Sequence, residues 1–137
     1  MVLNSWITRR LMDRLVVSLS RLLAPSDKDV LSEVVNDFAQ DRAEATLTPC
    51  PAVAVSSDGE CIDVLITSID VQSGPDFVKL VLRSVQSNSS EVALTHRELR
   101  QWLSIVRRAY QEADWSIDHW PAWLLSRRTN TNSAQAN

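Results

Sequence analysis

The sequence predicts an α+β domain with an N-terminal αα-hairpin, a three- or four-stranded antiparallel meander and a long C-terminal amphipathic helix packed on the sheet. Three observations predict it. Apolar residues recur at steps of three and four over residues 7–23 and again over 31–39, with Ala24-Pro25-Ser26-Asp27 between the two runs. From Thr46 that period gives way to short β-branched runs separated by turn formers. From Thr95 the helical period returns and holds to Ala113.

The first helix is expected to start at an Asn4 or Ser5 cap and to carry Ile7, Leu11, Met12, Leu15, Val16, Leu19, Leu22 and Leu23 on one stripe. Arg9, Arg10, Arg14 and Arg21 fall mostly off that stripe. Pro25 ends the helix, because the residue before a proline is pushed towards extended geometry. Ser26 is expected to cap the second helix, with Asp27 and Asp29 in a first turn where the macrodipole favours acids. Its apolar stripe is Leu31, Val34, Val35, Phe38 and Ala39. A helix, turn and helix also suit a DNA reader, but a recognition helix needs basic or amide side chains. This one presents Asp27, Asp29, Glu33, Asp37, Asp41 and Glu44.

Pro49 and Pro51 flank Cys50, so the chain enters the sheet as an edge or lead-in. Residues 52–56 read as a short strand, Ser57-Asp58-Gly59 as a tight hairpin turn and 60–71 as the return strand. Ile62, Val64 and Ile66 point one way and Leu65 and Ile69 the other, the pattern of a central strand. After the turn Ser73-Gly74-Pro75-Asp76, residues 77–85 place Val78, Leu80 and Leu82 on one face, and Phe77, Val81 and Val85 with Lys79 and Arg83 on the other. A fourth short strand is expected over 91–94. One helix layer covers one sheet face, so the apolar residues on the second face predict a homodimer.

Thr95 and Glu98 form the pattern of a capping box, so the last helix starts there. Leu99, Trp102, Leu103, Val106, Ala109, Tyr110 and Ala113 make its stripe, and Arg97, Arg100, Arg107 and Arg108 are expected on its back. The chain leaves helix near Trp115, since Pro121 forbids simple continuation. One domain over 1–125 is expected, followed by a disordered polar tail over 126–137.

Composition narrows the chemistry. The 137 residues carry a net charge of −3, which gives no overall attraction to nucleic acid or anionic lipid. The charge is uneven: residues 1–22 hold four arginines against Asp13, whereas 27–44 hold six acids against Lys28 and Arg42. Two cysteines, Cys50 and Cys61, do not make a disulfide framework and are read as buried free thiols. No apolar run is long enough to span a membrane. Asp13, Arg14 and Arg21 interrupt any export signal after Thr8-Arg9-Arg10, so a cytoplasmic protein is expected.

With Gly59 and Gly74 as the only glycines, no Gly-rich phosphate loop exists, and His96 and His119 have no metal-like partner at ligand spacing. A Cys50 nucleophile would need a basic neighbour, and Asp58, Glu60, Asp63 and Asp70 do not share one strand face. No cofactor and no enzyme activity are expected.

The remaining signal is aromatic. Trp102, Trp115, Trp120 and Trp123, four of the five tryptophans, lie together. They either cap the core or anchor a partner, because Trp is enriched in interface hot spots. The expectation is a non-enzymatic protein-binding adaptor, chaperone or assembly factor that holds another protein through Trp115, Trp120, Trp123, Arg107, Arg108, Arg127 and Arg128. The alternative is a nucleic-acid-associated regulator that uses those arginines with Arg97 and Arg100 on phosphates and indoles on bases.

Overall fold

The computed structural model describes residues 2–24, 29–48, 61–86 and 89–125. The fold is α+β, with four strands in a mixed sheet and with helices. The described residues group into two compact units, one drawn from 1–15 and 48–94, the other from 16–47 and 95–137.

The first unit holds the sheet, with β1 (Val2–Ile7), β2 (Cys61–Ser73), β3 (Phe77–Ser84) and β4 (Ser89–Thr95) in that spatial order. β1 runs parallel to β2, from Val2 opposite Cys61 to Ile7 opposite Ile66. β2 and β3 are antiparallel, joined by a hairpin that the Gly74 N–H closes on the Phe77 carbonyl at 2.8 Å. The sheet is therefore mixed rather than an all-antiparallel meander. A parallel partner needs a long crossover, which the chain between β1 and β2 has the length to supply. The strand expected at 52–56, its Ser57-Asp58-Gly59 turn and Cys50 lie outside the described residues.

Residues 2–7 are strand, not the first turn of a helix. Thr8 separates the two elements: its hydroxyl accepts the Leu11 N–H at 3.3 Å and its carbonyl the Met12 N–H at 3.0 Å, which starts α1 (Arg9–Leu23). Ile7 sits four residues before Leu11, so it extends the helical stripe on paper while pairing as strand in space.

A second correction concerns Ile69. The pairing shifts register between Ile66 and Ser68, so Ile66 lies opposite Ser84 and Ile69 opposite Leu82. The extra residue of this bulge reverses the alternation, and Ile69 joins Val64 and Ile66 on one face with Val78, Leu80 and Leu82. The other face is more polar than alternation predicts, with Asp70 paired to Arg83 at 2.8 Å. Lys79 of that face meets Glu91 at 2.9 Å. Trp6 and Leu65, adjacent in register on that face, and Phe77 remain exposed, while Val81 is buried.

The second unit is helical, built from the end of α1, α2 (Val30–Ala45), α3 (His96–Glu112) and α4 (Ala122–Leu125). Its buried apolar residues include Val16, Leu19, Leu99, Leu103, Val106, Tyr110 and Leu124. α3 starts with the expected capping box: the Glu98 N–H donates to the Thr95 hydroxyl at 3.1 Å, and the Thr95 N–H to the Glu98 carboxylate at 3.0 Å. Hydrogen bonds from the Thr95 backbone and then its side chain hold the Glu98 carboxyl below the usual carboxylate range.

α3 ends as a Schellman motif. Asp114 takes the left-handed conformation at φ 58°, its N–H reaches the Gln111 carbonyl at 3.2 Å, and the Trp115 N–H reaches the Tyr110 carbonyl at 2.9 Å. The Trp115 and Tyr110 rings meet edge to face at 5.1 Å, the hydrophobic contact that accompanies this motif. α2 is capped by Asp29, whose carboxylate accepts the Ser32 N–H at 2.7 Å, whereas Ser26 lies outside the described residues. That hydrogen bonding to Ser32 lowers the Asp29 carboxyl as well.

Candidate functional site

The tryptophans expected to anchor a partner are drawn back onto α3. Trp120 is 3% exposed and tilts against Tyr110 at 5.1 Å, with its indole N–H lacking a hydrogen-bond partner among the described residues. Trp123 is half-buried, with the Arg100 guanidinium 5.6 Å from its ring centroid. Trp115 keeps the most surface of the three, at 38%.

The arginines are also divided. Arg107 is buried: one guanidinium nitrogen meets Glu44 at 2.7 Å and the other donates to the Leu124 carbonyl at 2.5 Å. It sits four residues after Leu103 and three before Tyr110, on the shoulder of the apolar stripe, so it turns inward once a carboxylate waits there. Arg108 and Arg97 are exposed, Arg100 is half-buried, and Arg127 and Arg128 lie outside the described residues. The expected site is thus split between packed and open residues.

The residues that receive those arginines come from α2, and they overturn the expected orientation of that helix. Its buried residues are Asn36, Gln40, Ala43 and Glu44. Asn36, Gln40 and Glu44 recur every four residues and face α3 as a polar ladder. Arg100 donates to the Asn36 side chain at 2.7 Å and to Gln40 at 3.4 Å, while the Gln40 amide returns to the Arg100 carbonyl at 3.1 Å. The Gln101 amide donates to the Ala43 carbonyl at 3.0 Å, close to the helix end. Glu44 and Arg107 complete the seam.

The apolar stripe of α2, apart from the half-buried Ala39, consequently points outward. Val30, Leu31, Val34, Val35 and Phe38 are 76%, 71%, 40%, 60% and 69% exposed. Single exposed apolar side chains are ordinary; five at neighbouring positions of one helix face are not. Asp29, Glu33, Asp37 and Asp41 run beside this strip, with Arg42 as the one base of α2. Composition found the stripe but not its direction. The signal that pointed the other way is the four-residue spacing of Asn36, Gln40 and Glu44, with Arg100 and Arg107 seven residues apart as partners.

No catalytic constellation emerges among the described residues. Asp63 accepts from Asn4 at 3.1 Å and from the Trp6 indole at 3.4 Å, and Asp70 pairs with Arg83, so the two carboxylates serve separate contacts. His96 opens α3, and His119 is exposed beyond its end. Among the described residues no group of three or more His, Cys, Asp or Glu is placed to hold a metal ion. None of the described helices is long and apolar enough to cross a membrane. No family model, curated protein or solved structure matches the chain.

Proposed function

We propose that this chain is a non-enzymatic protein-binding adaptor, chaperone or assembly factor, and that its docking surface is the outward face of α2. The observation that carries the reading is the exposed strip from Val30 to Phe38. Covering a Val, Leu or Phe side chain contributes roughly 1.5–3 kcal/mol, whereas a buried ion pair such as Arg107–Glu44 is often no better than an apolar pair of the same volume. A helix that turns Asn36, Gln40 and Glu44 inward and leaves Val34, Val35 and Phe38 outside gives up folding stability. Retention of a partner that covers the strip supplies the compensating gain. Trp115 and Arg108, both exposed, are a secondary contact in this reading.

The test is affinity purification of the tagged chain from its own host, at low and at high salt, with wild type beside a Val34→Asp plus Phe38→Asp variant. The expected result is one protein held by wild type at both salts and lost on the variant, with unchanged circular dichroism. A partner held equally by both would remove α2 as the surface. Nucleic acid released by salt would favour the arginine-based alternative instead.

A further inference from the structure

We draw no further inference here: the strongest candidate, the exposed apolar strip of α2 from Val30 to Phe38, belongs to the docking surface already described, and nothing among the described residues shows what covers it.

Discussion

Helices α2 and α3 have 16 and 17 residues, and each carries an apolar stripe, yet they turn opposite faces inward. α3 buries Leu99, Leu103, Val106 and Tyr110 together with Ser104 and Arg107, and shows Arg97, Arg108, Gln111 and Glu112. α2 buries Asn36, Gln40 and Glu44 and shows Val30, Leu31, Val34, Val35 and Phe38. Amphipathic spacing defines a stripe, and the partners available to each face decide which side is covered. Arg100 and Arg107 on α3 would be costly to bury alone; the polar ladder of α2 answers them.

The strongest way to break the comparison is to cut the polar seam at its most buried pair. Glu44→Ala leaves the Arg107 guanidinium without its carboxylate in a site where both side chains are nearly inaccessible, and should cost about 3–5 kcal/mol in urea unfolding. Replacing both partners, Glu44→Leu with Arg107→Met, should recover most of that loss, because the unpaired charge is gone. A smaller effect follows at the other end of the seam. Asn36→Ala removes the 2.7 Å acceptor of the half-buried Arg100 and should cost about 1–3 kcal/mol.

The helix starts sharpen the comparison further. Thr95→Ala removes the hydroxyl of the α3 capping box and should cost about 1 kcal/mol, read as a lowered unfolding midpoint. Glu98 and Asp29 both have carboxyls held below their ordinary values by hydrogen bonds at the two helix starts. Their contribution is present above the unfolded carboxylate pKa of about 4 and is lost as pH falls through the lower folded value. Stability should therefore decline on acidification below about pH 4, and Asp29→Asn with Glu98→Gln should flatten that decline in a pH series. The smallest effect lies where α3 ends: Asp114→Gly relieves a left-handed conformation at φ 58° and should stabilise by about 0.5 kcal/mol.

Much of α3 was legible from residue types alone, because its signals are local: Thr95 and Glu98 three residues apart, and a chain that must leave helix before Pro121. The packing of Trp120 followed from an indole large enough to cover a core, one of the two readings its position allowed. What was not legible depends on distant partners. Strand β1 rests on pairing with residues 61–66, far along the chain, and its last residue also fits the helical stripe that follows. Ile69 changes face through a one-residue register shift that no alternation pattern contains. The inward arginine of the candidate site, Arg107, needs Glu44 to be intelligible. The outward stripe of α2 needs the whole ladder.

The direct test of the inverted α2 is equilibrium urea unfolding of Phe38→Asp. With Phe38 outside at 69% exposure, the variant should lie within about 0.5 kcal/mol of wild type. A loss of about 3 kcal/mol or more would place Phe38 in the core, where a buried charge is that costly, and would contradict the orientation on which the docking surface stands.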